Sequence, residues 1–149
     1  MLSFAKFDPP PLKIPIRECN DDERKIHGKC WNLDEVQAAV ASGELTVELT
    51  TSAQETLFTE LRLTGDQLLD FIKCLHKARY HASEWCLPSN RPKAVEKAAD
   101  AYCMGFNRFK GVENQASKPW IYFKFTVQVS TLKLLVFSMH PERPPRKKS

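Results

Sequence analysis

Two neighbouring segments, 120–128 and 132–140, carry the side-chain pattern of paired β-strands. The first reads WIYFKFTVQ, in which the odd-numbered residues from Ile121 to Val127 are apolar and share one face. The second reads LKLLVFSMH and is apolar on both faces, which is typical of a central strand. Because only three residues separate the two segments, the pattern predicts a β-hairpin.

Two helices with clear boundaries precede this hairpin. Asn32 is a typical N-cap, and apolar residues follow it at helical spacing until Gly43, where a helix commonly ends. Thr64 and Gln67 form a capping-box pattern in front of a second apolar helical face that continues to Leu75. We expect this second helix to pack its apolar face on the sheet.

The remaining segments are less regular. Residues 44–50 alternate polar and apolar side chains like a half-buried strand, and residues 102–106 are also compatible with a strand. Residues 93–99, after a loop bracketed by two prolines, are compatible with a helix. The order of the elements predicts an α+β fold, with N-terminal helices packed on a mostly antiparallel sheet that ends in the C-terminal hairpin.

The chain divides into three parts. Residues 1–29 are rich in proline and then in charge, which predicts an extended arm because proline fixes φ and lacks an amide donor. Residues 30–141 form the expected domain, which is large enough to bury a core without disulfides or metals. Residues 142–149 are basic and contain prolines, and we expect them to form a disordered tail.

Composition narrows the class of protein. A net charge of +4 and a pI near 8.8 are compatible with an anionic partner such as RNA. No stretch approaches the roughly 18 consecutive apolar residues of a membrane-spanning helix, so no membrane partner is expected. The five cysteines are irregularly spaced and no secretory signal precedes them, which predicts reduced thiols and a cytoplasmic protein.

Sequence motifs of nucleotide-dependent enzymes, zinc peptidases and α/β-hydrolases are absent from the chain. Two groups of cysteine and histidine, one between Cys19 and Cys30 and one between Cys74 and Cys86, lack the paired spacing of structural zinc sites. We therefore expect neither a metal site nor a cofactor.

Several segments resemble, in one consistent order, the MqsR-type toxins (motility quorum-sensing regulators) of toxin–antitoxin pairs. The segment IYFKFTV at 121–127 is close to the V/L-Y-L-K-[IF]-T-V strand of that family. The resemblance runs from about Trp31 to His140. The other similar segments are WNLDEVQAA at 31–39, TTSA at 50–53, LRLTGD at 61–66, DAY at 100–102 and LLVFS at 134–138.

The resemblance implies a small RelE-like fold, ribosome-independent cleavage of mRNA and neutralisation by a cognate antitoxin protein. Among the functional positions of the family, the strand tyrosine is kept at Tyr122. The functional lysine that follows the long helix in the family falls on Ala82, or on His81 with a shift of one residue. The terminal lysine of the family falls on His140 or Met139.

RNA cleavage without a metal uses the 2′-hydroxyl as the nucleophile on the adjacent phosphorus. It needs a base, an acid and a donor for the charge that develops. Imidazole titrates near neutrality, so His81 and His140 are the candidate acid and base. Tyr122 can donate a hydrogen bond to a phosphate oxygen. The sequence thus predicts a metal-independent endoribonuclease of single-stranded mRNA with His81, Tyr122 and His140 as catalytic residues.

Four other residues are candidate RNA contacts. Lys124 lies two residues from Tyr122 on the same strand face, so both side chains can point at one phosphate. Trp120 shares that face and is a candidate for stacking on a base, as aromatic residues do in single-stranded RNA recognition. Arg79 and Arg108 are candidate phosphate contacts.

Two other functions fit the same sequence. One is a catalytically altered relative that binds RNA or a protein on the same strand face, with His81 and His140 as ordinary surface or structural residues. The other is a protein-interaction domain that uses the proline-rich arm. Tyr122 and Lys124 would then form the usual solvent-facing stripe of a strand.

Overall fold

A computed structural model describes residues 4–143. Within that range the chain forms four α-helices and eight β-strands. The helices are α1 (Asp21–Arg24), α2 (Leu33–Ser42), α3 (Thr51–Thr56) and α4 (Gly65–Cys74), with a π turn at Leu57–Leu61 and 3₁₀ turns at Ile16–Glu18, Lys77–Arg79 and Val129–Thr131. The strands are β1 (Lys25–Ile26), β2 (Thr46–Leu49), β3 (Tyr80–Cys86), β4 (Lys97–Met104), β5 (Phe106–Asn107), β6 (Val112–Glu113), β7 (Ile121–Gln128) and β8 (Lys133–Pro141).

Six of these strands form one sheet in the order β1-β3-β4-β7-β8-β2. All neighbouring strands in it are antiparallel except β2 and β8, which pair in parallel with Val47 opposite Leu134. The short strands β5 and β6 form a separate hairpin. Helices combined with a mostly antiparallel sheet confirm the predicted α+β fold.

The predicted hairpin of β7 and β8 lies inside this sheet. The strands pair from Ile121 opposite Pro141 to Gln128 opposite Lys133, and the turn at Val129–Thr131 joins them. Because β8 has β7 on one side and β2 on the other, it is a central strand, which accounts for apolar side chains on both of its faces.

The two predicted helices begin and end at the expected residues. Asn32 accepts a hydrogen bond from the amide of Glu35 at the start of α2, and Gly43 ends α2 at a φ of 82°, a region that glycine adopts readily. Thr64 and Gln67 form the reciprocal capping box at the start of α4. Each of these caps depends only on residues within one helical turn.

The main core lies between the helices and one face of the sheet. Phe71 of α4 is fully buried in it, with its ring centroid 5.3 Å from that of Phe106 and 5.4 Å from that of Phe123. A smaller apolar cluster lies on the opposite face of the sheet and consists of Cys86, Ala99, Leu135 and Phe137. The central strands therefore bury side chains on both faces, but far more on the helix side.

The described part of the arm packs on the domain. Phe4 is buried in the main core, and Ala5 forms a β-bridge with Trp31. Ile16 is also buried, and β1 pairs with β3 at the edge of the sheet. Apart from the bridge at Ala5, residues 4–15 form neither helix nor strand, and the arm contributes to the core and to the sheet.

The helix expected at 93–99 is wrong, because β4 begins at Lys97 and Ala99 and Ala101 are buried within it. Alanine favours helices by intrinsic propensity, but burial in a sheet overrides that preference. Small side chains at these two positions leave room for larger residues of the neighbouring strands to meet across β4.

Most of the predicted basic tail, residues 144–149, lies outside the described residues. Arg143, the last residue described, forms an ion pair with Glu60 at 3.9 Å. Among residues 4–143, no helix has both the length and the apolar character needed to cross a membrane.

Candidate active site on the open face of the sheet

The face of the sheet opposite α2 and α4, which we call the open face, carries most of the predicted site residues. On β7, Tyr122 and Lys124 alternate with the core residue Phe123 and so lie on the open face. Strand register places Cys103 of β4 and His140 of β8 on either side of Tyr122.

His81, Tyr122 and His140 come together on this face, and we call them the His–Tyr–His cluster. His140 stacks on Tyr122, with ring centroids 5.0 Å apart and an interplanar angle of 19°. His81 meets Tyr122 edge-on, with centroids 5.8 Å apart and an angle of 81°. Since β8 lies on one side of β7 and β3 lies beyond its other side, Tyr122 stands between the two imidazoles.

His81 reaches the cluster because β3 has a bulge. Tyr80 is opposite Tyr102, but Ala82, two residues later, is opposite the very next position of β4, so His81 is the extra residue. A bulge redirects the side chains around it. Tyr80 packs edge-on against Tyr102 on the core side, whereas His81 extends over β4 toward Tyr122.

A buried hydrogen-bond network anchors the bulge. The fully buried carboxylate of Asp100 accepts hydrogen bonds from the amides of Cys30 and Trp31, at 2.9 and 3.0 Å, and from the Ser83 hydroxyl at 2.6 Å. Since the Ser83 hydroxyl donates to Asp100, it accepts from the Tyr80 hydroxyl, 2.6 Å away. Both ends of the bulge are thereby fixed to β4 and to the segment before α2.

His140 has one ring nitrogen engaged with the backbone. Its Nδ1 lies 2.7 Å from the carbonyl oxygen of Pro141. A carbonyl oxygen only accepts hydrogen bonds, so Nδ1 carries a proton and donates. In the neutral ring the lone pair is then on Nε2, which can act as a base.

Tyr122 keeps its proton at neutral pH. Burial raises the pKa of its hydroxyl, and the attraction of the nearby Lys124 cation offsets only part of that rise. A protonated phenol can donate a hydrogen bond to an anionic oxygen. The cluster therefore combines a hydrogen-bond donor with two imidazoles.

Lys124 forms an ion pair on the open face. Its ammonium donates to the Glu84 carboxylate at 2.8 Å, and its side chain is only 16% exposed. Burial lowers the pKa of Lys124, but attraction from Cys86 and Glu84 outweighs burial and holds the pKa above its usual value. Register places the small Ala99 and Ala101 of β4 beneath this pair, so the two side chains meet across that strand.

A cation–aromatic group borders the cluster. The Trp120 ring has the ammonium of Lys118 4.4 Å and the guanidinium carbon of Arg79 5.8 Å from its centroid. Arg79 also donates to Glu113 at 3.1 Å, and the Trp120 indole donates to the Gln115 carbonyl at 3.0 Å. Trp120 and Arg79 each lie two residues from a member of the cluster, so this group extends the candidate site.

Arg108 forms its hydrogen bond away from the His–Tyr–His cluster. Its guanidinium donates to the Arg62 carbonyl at 3.1 Å, and it lines a second cavity together with Phe106, Lys118 and Pro141. The structure therefore brings His81, Tyr122 and His140 together beside Lys124, places Trp120 and Arg79 in an adjoining group, and gives Arg108 no contact with the cluster.

Sequence reasoning missed Asp100, Ser83 and Glu84 as supports of the site. Asp100 had a visible signal, because a single carboxylate inside the apolar run from Ala98 to Met104 needs buried partners. Glu84 and Ser83 had none, because their partners lie on other strands.

Among residues 4–143, no group of three or more His, Cys, Asp or Glu side chains is placed to hold a metal ion. All five cysteines are free. Comparison of the chain with protein-family models, curated proteins and solved structures found no match. The likeness to MqsR-type toxins therefore stays a prediction from the sequence segments quoted above.

Proposed function

We propose that this protein is a toxin-type endoribonuclease that cleaves single-stranded mRNA without a metal ion. The observation that carries the proposal is the His–Tyr–His cluster, with an imidazole on each side of a protonated tyrosine. Two imidazoles near one phosphodiester can supply the base and the acid that cleavage needs. The resemblance to MqsR-type toxins supports the same activity.

The proposed reaction begins at the 2′-hydroxyl. His140 removes the proton of this hydroxyl through Nε2, and the 2′-oxygen attacks the adjacent phosphorus. The bond between phosphorus and the 5′-oxygen breaks, and protonated His81 gives its proton to the leaving oxygen. Tyr122 donates a hydrogen bond to a non-bridging oxygen as charge develops there. The products are a 2′,3′-cyclic phosphate and a 5′-hydroxyl.

The border of the cluster supplies the proposed contact with the RNA strand. Trp120 offers an aromatic surface for a base, and Arg79 and Lys118 offer positive charge beside it. Stacking and charge of this kind bind single strands with little sequence preference. This is consistent with an enzyme that acts on mRNA.

The proposal includes two further parts. Neutralisation by a cognate antitoxin rests on the resemblance to MqsR-type toxins. A cytoplasmic location is supported by the five free cysteines, because such thiols persist in a reducing compartment.

The test is incubation of the purified protein with a long RNA in EDTA, followed by mapping of the fragment ends. We expect cleavage to continue in EDTA and to leave 2′,3′-cyclic phosphates. A DNA strand of the same sequence lacks the nucleophile and should stay intact. Cleavage that stops in EDTA and returns with Mg²⁺ contradicts the mechanism.

A second function, RNA binding without cleavage, is favoured by the state of Lys124. Its charge is paired with Glu84, and the lysine expected from the family falls on Ala82, or on His81 with a shift of one residue, so neither position offers an unpaired lysine to assist the reaction. If the protein binds RNA but does not cleave it, RNA binding is the function. In that case affinity should fall steeply with salt, and Trp120→Ala should weaken it. Affinity that does not change with salt contradicts RNA binding altogether.

A further inference from the structure

The open face has a second feature beside the His–Tyr–His cluster, a groove of about 650 Å³. Its floor includes Lys124, Phe137 and Ser138 of the sheet. Its walls come from the arm, from the residues that follow β2 and from the loop that follows β3. We call it the arginine groove, because Arg17 and Arg24 of the arm line it. Its volume is in the range of small-ligand sites.

The charge of the groove favours an anion. Arg17, Arg24 and Lys124 supply three cations, and Glu84 is the one carboxylate that lines it. Glu84 is already paired with Lys124 at 2.8 Å. The two arginines therefore remain as positive charge facing the groove, with the hydroxyl of Ser138 on its floor as a neutral donor.

The hydrogen bonding of Arg24 is the strongest indication of a ligand in the groove. One of its terminal nitrogens donates to the Ile16 carbonyl at 2.9 Å. Its Nε is buried and has no hydrogen-bond partner among residues 4–143. A buried donor of a charged group without an acceptor is costly, and an anionic oxygen would remove that cost.

Arg17 closes the end of the groove. Its guanidinium donates to the carbonyls of Asn90 and Arg91, at 3.4 and 2.9 Å. These bonds join the arm to the loop that follows β3. The arm thus supplies both arginines and one wall, so the groove requires the arm to be in place.

We propose that the arginine groove binds a backbone phosphate of the RNA strand, next to the nucleotide that is cleaved, through Arg24 and Arg17. This rests on the proposed function, because an RNA strand at Tyr122 would continue past Lys124, about 7 Å along β7. Guanidinium groups match the geometry of phosphate oxygens and bind them with two parallel hydrogen bonds. Phe137 and Cys86, both mostly buried, also line the groove.

The experiment is a calorimetric titration of the folded protein with adenosine 5′-monophosphate, and with adenosine as the uncharged control. We expect the monophosphate to bind at least about tenfold more tightly than adenosine, the effect of one charge-assisted hydrogen bond. Arg24→Gln should weaken monophosphate binding by a similar factor. A single-stranded oligoribonucleotide should displace the monophosphate, because both place a phosphate in the groove.

Two further variants distinguish loss of phosphate binding in the groove from loss of the folded structure. Arg17→Gln changes an exposed residue and should also weaken binding, so the result does not depend on Arg24 alone. Lys73→Gln removes one charge from α4, on the other side of the sheet, and should leave binding unchanged. Thermal melts check that each variant is folded.

The outcomes separate this proposal from the proposed function. Monophosphate binding that depends on the arginines, in a protein that leaves RNA intact, supports the groove and contradicts the nuclease. If the protein cleaves RNA but does not bind the monophosphate, the groove proposal alone is overturned. The same holds if the protein cleaves RNA and both arginine variants bind the monophosphate as tightly as the unchanged protein. Binding that is lost in His140→Ala, or that an oligoribonucleotide does not displace, overturns it as well.

Discussion

The two faces of the central sheet use alternate residues of the same strands in different ways. On β7, Phe123 packs into the main core beneath α4, whereas its neighbours Tyr122 and Lys124 lie among polar and aromatic groups on the open face. The core face is covered by helices, and most of the open face is not. We infer that stability depends mainly on the first face and the proposed chemistry on the second, so substitutions should separate the two.

The largest expected effect is on the core face. Phe123→Ala should lower the free energy of unfolding by about 3–5 kcal/mol, because it removes buried ring contacts and leaves a cavity. Denaturant unfolding measures this loss. Phe109→Ala is the matched control, because that ring is 90% exposed and its removal should change stability little. Equal losses in the two variants would contradict the described core.

The next effect is on the open face. His140→Ala and His81→Ala should each slow RNA cleavage by about a hundredfold or more, the usual cost of losing a general acid or base. RNA affinity and the melting temperature should change little. His27→Ala removes an exposed histidine of the arm and serves as the control. If both cluster variants retain full activity, neither histidine takes part in the reaction.

Asp100→Asn should lower both stability and activity, unlike the substitutions that affect one face only. Asp100 lies on the core side, but its hydrogen bonds hold the bulge that directs His81. Replacing one carboxylate oxygen by an amide should cost about 1–3 kcal/mol of unfolding free energy, because buried donors lose their acceptor. It should also lower kcat more than it changes KM, because His81 shifts. Asp22→Asn, at an exposed carboxylate, controls for loss of charge.

The smallest effects come from two tyrosines on opposite faces. Tyr122→Phe removes a hydroxyl of the cluster and should slow cleavage by roughly tenfold, with little change in stability. Tyr102→Phe removes a buried hydroxyl that has no partner within residues 4–143, and should raise stability by up to about 1 kcal/mol without affecting cleavage. The cleavage rate and the melting temperature of both variants test these two expectations. An activity loss at Tyr102 instead of Tyr122 would reverse our assignment of the faces.

The parts of the fold that were predictable depend on local patterns. α2 and α4 follow from caps within one turn, at Asn32 and Thr64, and the hairpin follows from alternation within nine residues. Of the candidate site, only the presence of Tyr122 and His140 on paired strands follows from that hairpin; a register shift between Lys124 and Phe125, which alternation does not reveal, places His140 rather than Met139 opposite Tyr122.

The remaining parts depend on distant residues. Asp100 pairs with the amide of Cys30, 70 positions earlier in the sequence, and no local pattern reveals that partner. The bulge at His81 disturbs the alternation of β3, which hides the strand in the sequence. Ala98 and Ala99 favour a helix by local propensity. Their place in β4 depends on side chains of β3 and β7, which no local pattern reveals.

The parallel pairing of β2 with β8 has a consequence for synthesis of the chain. Thr50, just after β2, donates a hydrogen bond to Phe137 of β8, 87 residues away. During translation β2 must therefore wait for residues 133–136 before it has a neighbour in the sheet. His140 lies in the same strand, β8. A chain that stops before β8 lacks a central strand of the sheet and the imidazole of His140, so neither the sheet nor the His–Tyr–His cluster is complete until residues 133–141 have been synthesised.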